Sequence, residues 1–225
     1  LGVPGIASSS EVPYGRFDLP EGGALTITAE NEVADPLITL FDASGAWVAE
    51  NDDAIGLNSR LDLADPLPPG SYCIAVQALS DASAPITLKV GDFDATGAMQ
   101  VQFETGNMAP PLDGSYPVIN AGSLQTRLRQ DAMIDGATTW FSFDVPEYGL
   151  VVVEAIAASE GGDPHLVLFD DLGRKLTEND DTGEGLDSMV AARLNRGTYL
   201  FGVKDIASSA PVPVRLALER FVPAE

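Results

Sequence analysis

The chain has 225 residues, of which 34 are acidic and 12 basic, so its formal net charge is −22 at pH 7. A field of this sign attracts cations and repels nucleic acids and anionic membrane surfaces, which excludes DNA- and RNA-binding proteins. Apolar residues make up 45% of the chain, enough for a real core, and 22 glycines with 16 prolines are typical of a turn-rich β protein.

The first residues and the cysteine content bear on where the protein works. Residues 1–10 (LGVPGIASSS) are typical of a flexible mature start from which an export signal has been removed, although a trimmed chain would look the same. We therefore expect a secreted or periplasmic protein. Without a run of about 18 apolar residues, no membrane-spanning helix is expected. Cys73 is the only cysteine, so no internal disulfide can form.

One stretch of the chain occurs twice. Residues 35–42 (DPLITLFD) match residues 163–170 (DPHLVLFD) at an offset of 128 residues. Slightly different offsets elsewhere place small insertions in the turns, as expected for two diverged copies of one unit. The other matched pairs are 17–29 with 143–155, 50–53 (ENDD) with 178–181 (ENDD), and 69–76 with 196–203.

The matched stretches have the apolar period of two that is typical of strands. Leu25, Ile27 and Ala29 alternate with threonines, and Ile38 and Leu40 share one face of the next strand. Glycine- and proline-rich turns separate them. Short strands at this spacing, without long helical periodicity, predict an all-β protein of two tandem antiparallel β-sandwiches.

The region between the copies sets the domain bounds. Residues 97–106 (GAMQVQFETG) alternate like a further strand, and the first copy either takes its missing first strand from there or lacks it. Residues 107–122 are rich in proline and glycine, which predicts a linker or long loop. Residues 123–143 are predicted to supply the first strands of copy two. We therefore expect domains at 1–106 and 123–225.

The repeated motifs resemble those of the bacterial pre-peptidase C-terminal domain family. They share its order of an aspartate, alternating leucines, Phe-Asp, a glycine and Asn-Asp-Asp, followed by Gly-Ser/Thr-Tyr before a strand. The resemblance spans about residues 15–92 and 130–220. It implies a small jelly-roll-like sandwich, usually appended to secreted bacterial proteases and other extracellular enzymes. Relatives include the collagen-binding domain of bacterial collagenases, which uses calcium.

The acidic string of each copy has two interpretations. Ca²⁺ prefers six to eight oxygen ligands, which carboxylates and amides on loops supply, although neighbouring side chains of an extended segment cannot all face one ion. Alternatively, Asn and Asp cap a turn through backbone amides and need no metal. The spacing is not that of an EF-hand. The candidate ligands are Asp35 or Asp42 with Asn51, Asp52 and Asp53, and Asp163 or Asp170 with Asn179, Asp180 and Asp181.

Other reactive residues predict little chemistry. His165 is the only histidine and its counterpart is Leu37, so we expect a packing or surface role rather than a catalytic triad. With one histidine and one cysteine, a zinc site is not expected. Cys73 lies in a predicted strand, which indicates a buried thiol.

Aromatic residues supply a candidate ligand surface. Trp47 follows a turn and is predicted to point outward, because its counterpart is Lys175. Trp140 and Tyr148 flank an early strand of the second copy. Exposed tryptophan and tyrosine can anchor sugar rings or proteins, whereas packing in the core or at an edge is the alternative.

These observations predict a non-catalytic accessory or binding module of an exported bacterial protein, with Ca²⁺ stabilising its acidic loops. Its ligand would be an extracellular protein or polysaccharide. Two alternatives stay open: a structural spacer or assembly protein, and a hydrolase that uses paired carboxylates.

Overall fold

The chain divides into two units, Leu1–Val101 and Gln102–Glu225. The computed structural model describes residues 5–159, 161–183, 185–207 and 210–222. Both units are built of antiparallel sheets packed in pairs, so the predicted tandem all-β sandwiches are confirmed.

The first unit contains two four-stranded sheets, in the orders β1-β8-β3-β6 and β2-β7-β4-β5. Leu25 and Ile27 of one sheet and Ile38 and Ile74 of the other belong to the core cluster between the sheets. The alternation of β3 therefore buries one face, as its sequence predicts. The strands are β1 Gly5–Ser8, β2 Tyr14–Leu19, β3 Gly23–Glu30, β4 Pro36–Phe41, β5 Trp47–Asn51, β6 Ser59–Leu67, β7 Gly70–Ala78 and β8 Pro85–Asp92.

The second unit repeats this arrangement with one strand more. Its sheets have the orders β10-β17-β12-β15 and β14-β13-β16-β11-β9, and β9 pairs with β11 in parallel. Phe141 and Phe201 stack in its core with ring centroids 4.9 Å apart. The strands are β9 Ile119–Ser123, β10 Arg127–Ile134, β11 Thr139–Val145, β12 Gly149–Ala157, β13 Pro164–Asp170, β14 Lys175–Asn179, β15 Ser188–Leu194, β16 Gly197–Asp205 and β17 Val212–Phe221.

The prediction of a strand over residues 97–106 is wrong, because most of this stretch belongs to the helix α1, Ala95–Thr105. Asp94 caps the helix, since its side chain accepts a hydrogen bond from the Gly97 amide at 2.9 Å. Gly106 ends it at a φ of 79°, with the next amide, that of Asn107, bonded back to the Gln102 carbonyl.

The first strand of copy one comes instead from the start of the chain. Gly5–Ser8 forms β1 and pairs antiparallel with β8, so this part of residues 1–10 is ordered strand rather than a flexible start. Residues 1–4 lie outside the described part. In copy two, β10 and most of β11 fall in residues 123–143, where the first strands were predicted, and β11 continues to Val145.

Residues 102–118, here called the cover segment, lie on the outer face of the second unit's five-stranded sheet. Ala109, Tyr116 and Val118 pack there against a second apolar cluster. The Trp140 indole N–H, within that cluster, donates to the Phe103 carbonyl at 2.9 Å. The predicted linker 107–122 thus belongs to the second unit, and β9 begins inside it. The cluster is Trp140, Val167, Phe169 and Leu200.

The repeated Gly-Ser/Thr-Tyr motif fixes a corner in each unit. The Tyr72 hydroxyl donates to the Pro68 carbonyl at 2.7 Å, and the Tyr199 hydroxyl donates to the Asn195 carbonyl at 3.2 Å. Each bond closes the turn before β7 or β16. The only helix among the described residues is α1, which is too short to span a bilayer.

Candidate functional site

The acidic strings lie at corresponding ends of the two units. In the first unit, Ile38 of β4 pairs with Asn51 of β5, so Asp35 and the Asp52–Asp53 pair lie at the same end of this hairpin. In the second, Leu166 pairs with Asn179, which brings Asp163 and the Asp180–Asp181 pair together in the same way. The chain therefore places Asp35 with the first acidic string and Asp163 with the second.

Asp42 does not belong to this group. It lies at the opposite end of β4, about 20 Å away for a strand of this length. Its carboxylate caps the following turn by accepting the backbone N–H groups of Ser44 and Ala46 and the Ser44 hydroxyl. These bonds hold the pKa of Asp42 below its usual range.

Asp170 is the counterpart of Asp42 and is likewise separated from the acidic string. One oxygen accepts the backbone N–H groups of Leu172 and Arg174, and the other pairs with the Arg174 guanidinium at 2.6 Å. Burial raises the pKa of Asp170, but these hydrogen bonds and the adjacent positive charge outweigh it, so the net pKa is lowered. Asp42 and Asp170 therefore stabilise turns.

The asparagine of each string anchors the backbone. The Asn51 side-chain oxygen accepts the Arg60 N–H at 2.9 Å, and the Asn179 oxygen accepts the Met189 N–H at 3.2 Å. Both bonds hold the string against the strand that follows. This is the role that the turn interpretation gave to these residues.

Two serines complete the anchor, and sequence reasoning missed them. The Ser59 hydroxyl lies 2.9 Å from the carbonyl oxygens of both Asn51 and Asp52. The Ser188 hydroxyl donates to the Asn179 carbonyl. Both serines are almost fully buried. The signal was present, because each copy has a serine in its GLNS or GLDS stretch.

The second unit adds a fourth carboxylate to its acidic group. Asp205, the last residue of β16, is only 2% exposed, and its Oδ1 accepts the Asp163 N–H at 2.6 Å. Its Oδ2 and the Asp163 Oδ1 are buried without a hydrogen-bond partner in the described part of the chain. Burial raises the pKa of Asp163, and the charges of Asp181, Asp205 and Asp180 raise it further.

The corresponding group of the first unit has one carboxylate fewer. The counterpart of Asp205 is Ala78, which pairs with Pro36 as Asp205 pairs with Pro164. Burial raises the pKa of Asp53, and the charges of Asp52 and Asp35 add to that. Only three carboxylates therefore meet here. No signal in the repeat could have found Asp205, because its counterpart is apolar.

The second group supplies the donor type that a hard cation needs. Buried carboxylate oxygens without partners are costly, and a divalent cation would satisfy them and relieve the repulsion that raises the Asp163 pKa. Across the described residues, no three Asp, Glu, His or Cys side chains are arranged to hold a metal ion as they stand. Carbonyl or water oxygens would have to complete the coordination.

Trp47 points outward as predicted and is 64% exposed. It pairs across the strands with Phe41, and Thr39 and Glu50 form the next pair on this outer face, joined by a hydrogen bond of 2.7 Å. Tyr14, 65% exposed, flanks a shallow groove of about 340 Å³ on the same sheet. The outer face of the first unit thus combines exposed rings with polar groups.

The remaining candidates contribute no reactive arrangement. His165 lies on the outer face of β13 with Nε2 3.8 Å from a Glu178 carboxylate oxygen, and burial lowers its pKa, with Lys204 adding to this. Cys73 is partly exposed rather than buried, because its side chain lies on the outer face of the first unit. Trp140 is buried and Tyr148 is exposed.

The fold and the site define a tandem β-sandwich protein with an acidic loop group in each unit. No family model and no curated protein matches the chain. Among solved structures, it is similar to the pre-peptidase C-terminal domain of collagenase from Bacillus anthracis, with 13% identity and a TM-score of 0.38, over 47% of this chain and 100% of that one. That domain belongs to the family that the repeated motifs resemble.

Two further solved structures are similar over one unit's length. PliG from Aeromonas hydrophila, a periplasmic inhibitor of g-type lysozyme, has 16% identity and a TM-score of 0.34, over 47% of this chain and 100% of that one. CorA, a surface-associated copper-binding protein from Methylomicrobium album BG8, has 10% identity and a TM-score of 0.33, over 48% of this chain and 100% of that one.

Proposed function

We propose that the chain is a non-catalytic accessory module of an exported bacterial protein, which binds an extracellular protein or polysaccharide. The exposed Trp47, paired with the half-buried Phe41 on the outer face of the first unit, carries this proposal. Trp47 is 64% exposed, and an exposed tryptophan beside a second ring is a side chain that can anchor a sugar ring or a protein. The resemblance to a family appended to secreted enzymes supports export.

The polar neighbours of the aromatic pair favour a ligand that is part apolar and part hydrogen-bonding. Arg16 lies in the same cross-strand row as Phe41 and Trp47, through Cys73. Tyr14 and Gln77 line the nearby groove. Sugar rings offer apolar faces and hydroxyl groups, which match this combination of rings and polar side chains.

A binding array tests this function. The whole chain is applied to glycans and extracellular matrix proteins, beside Trp47→Ala and the control Tyr148→Ala, which removes an exposed ring of the second unit. We expect at least one ligand class that the wild type and the control bind and Trp47→Ala does not. An array without any such ligand would overturn the proposal and favour the spacer.

We propose further that Ca²⁺ stabilises the second unit through Asp163 and Asp205, with carbonyl and water oxygens completing the coordination and the charges of Asp180 and Asp181 attracting the ion. The two buried oxygens without partners support this assignment. Bound Ca²⁺ would supply positive charge to the group, while the chain's own residues position its oxygens through the backbone bonds of Asp163 and Asn179. The first unit, with Ala78 in place of Asp205, binds the ion more weakly.

Thermal unfolding in EDTA and in Ca²⁺ tests the cation. At a hundredfold excess over Kd a single site stabilises the folded state by about 2.7 kcal/mol. We expect the second unit to gain stability in Ca²⁺ and Asp205→Asn to lose that gain. A wild type whose melting temperature is the same in EDTA and in Ca²⁺ would contradict the assignment.

A further inference from the structure

Among the described residues, the first unit has no counterpart of β9, a strand of the second unit. In the second unit, β9 pairs in parallel with β11. In the first, β2 is the counterpart of β11, and within the described residues no strand pairs with its other side. An unpaired edge presents backbone donors and acceptors to an incoming strand.

The pairing of β2 shows which of its backbone groups are free. The Val76 N–H donates to the Pro13 carbonyl, so Pro13 faces β7. Because these directions alternate along an antiparallel strand, the N–H and C=O groups of Tyr14, Arg16 and Asp18 point away from β7. The backbone groups of these three alternate residues are thus available to pair with an added strand.

An apolar groove of about 250 Å³ lies beside this edge, between β1 and β2. Ile86 and Leu88 of the core form its floor, with Val12 and Tyr14 at its side. In the second unit, β9 itself supplies Ala121 to the core, and Leu124 directly after it is fully buried. A strand added to β2 would place side chains over the groove in the same manner.

The edge also carries a positive charge without a direct carboxylate partner. The first unit has three basic residues, Arg16, Arg60 and Lys89. Arg60 pairs with Asp62, and Lys89 pairs with Glu30. Arg16 donates an exposed hydrogen bond to the Ser71 hydroxyl, which in turn donates to the Asp18 carboxylate, and in the part of the chain that the structure describes Arg16 forms no direct ion pair. It therefore offers a partner for an acidic side chain.

We propose that the first unit binds an extended peptide segment by strand addition to β2. The segment runs parallel to β2, as β9 runs parallel to β11. It carries an acidic side chain beside Arg16 and an apolar side chain over the groove of Val12, Ile86 and Leu88. This interaction shares Arg16 and Tyr14 with the surface of the proposed function, but it uses the backbone of the β2 edge and depends neither on Trp47 nor on a cation, so Trp47→Ala distinguishes the two.

The probes are two synthetic peptides built on residues 117–124 (PVINAGSL). One has the natural sequence, and the other has Asn120→Glu, because Asn120 pairs with Ser142, the counterpart of Arg16. We expect the acidic peptide to bind the whole chain about two- to fivefold more tightly, the contribution of one exposed ion pair. Arg16→Gln should abolish this preference, and the control Arg196→Gln should leave it unchanged.

Amide hydrogen exchange locates the bound peptide. Binding should protect the outward amides of Tyr14, Arg16 and Asp18 and leave that of Phe17, which already faces β7, unchanged. Asp18→Pro removes one outward N–H at an edge position that tolerates proline and should weaken binding about three- to tenfold. Its melting temperature shows whether the variant still folds.

Three outcomes would overturn the proposal. The first is saturating peptide without protection of the Arg16 and Asp18 amides. The second is a preference for the acidic peptide that persists in Arg16→Gln. The third is protection of the β2 amides that rises with protein concentration alone, since a second copy of the chain would then occupy the edge. Loss of array binding in Trp47→Ala has no bearing on any of these.

Discussion

The two units share a strand plan and differ in what lies outside their second sheet. In the second unit the cover segment buries Trp140, which is 1% exposed. In the first unit the same position is Tyr14, 65% exposed. The difference extends along the face, where Val167 and Leu200 correspond to Thr39 and Cys73.

The comparison shows that a sheet face becomes apolar where chain covers it and polar where chain does not. Leu200 packs under the cover segment, whereas Cys73 stays partly exposed in a face with Arg16 and Glu50. The inner faces of both units are mainly apolar, because both belong to the core. The two units therefore share the sandwich and differ on the outer face of this sheet.

The largest expected effect comes from the paired aromatic positions. Trp140→Ala removes a buried ring and its hydrogen bond to Phe103, and we expect it to destabilise the second unit by about 3–5 kcal/mol. Tyr14→Ala should change the stability of the first unit by no more than about 0.5 kcal/mol. Hydrogen exchange, which follows the unfolding of each unit separately, measures both changes in stability. Equal losses of stability in the two variants would contradict the difference between the two faces.

The serine anchors should behave alike in the two units. Ser59→Ala and Ser188→Ala each leave buried carbonyl oxygens with one donor fewer, which costs about 1–3 kcal/mol in the unit concerned. Ser83→Ala, in an exposed turn, is the control, expected within about 0.5 kcal/mol. If denaturant unfolding shows a loss of stability in only one of the two serine variants, the two acidic strings are not anchored equivalently.

Ala78→Asp would give the first unit the fourth carboxylate of the second. In EDTA we expect the added charge to lower the first unit's stability, because Asp35, Asp52 and Asp53 already repel one another. Calcium should then restore it, by up to about 2.7 kcal/mol at a hundredfold excess over Kd. A variant with equal melting temperatures in EDTA and in Ca²⁺ would show that carboxylate number does not distinguish the units.

The smallest effect is a contrast in pH dependence. Hydrogen bonds lower the pKa of Asp42, so its contribution is present above the unfolded value of about 3.9 and is lost as the pH falls through the folded pKa. The pKa of Asp163 is raised, so the folded state binds its proton more tightly and gains stability as the pH falls through that higher value. Denaturant midpoints in EDTA should show that Asp163→Asn removes this gain.

For that measurement, Asp42→Asn is the matched variant. It should reduce the loss of stability at acid pH and leave the gain from Asp163 in place. Midpoints of Asp163→Asn that follow the wild type throughout the acid range would contradict the raised pKa.

The strands could be predicted from the sequence because burial of one strand face makes every second residue apolar, as at Leu25, Ile27 and Ala29. Helix α1 was missed because Met99, Val101 and Phe103 also alternate, and only the cap at Asp94 indicated a helix. The clustering of Asp35 with Asp53 followed from the repeat, but the choice between Asp35 and Asp42 required the strand length in three dimensions.

The rest depended on contacts between residues distant in sequence. Asp205 lies 42 residues from Asp163 and has an apolar counterpart, so neither spacing nor repetition indicates it. The cover segment has no counterpart in the matched stretches, and its proline and glycine content is typical of a linker. Its place on the sheet follows from Tyr116 and Val118, which pack against the Trp140 cluster.

The chain's two tryptophans fall one in each unit, and their surroundings are opposite. Trp140 is enclosed by apolar side chains, so its emission should be blue-shifted and should move to the red when the second unit opens. Trp47 is in water, so its red-shifted emission should respond to a molecule that settles on the first unit. Unmodified protein thus carries two optical probes, one for folding and one for occupancy, that a single spectrum can separate.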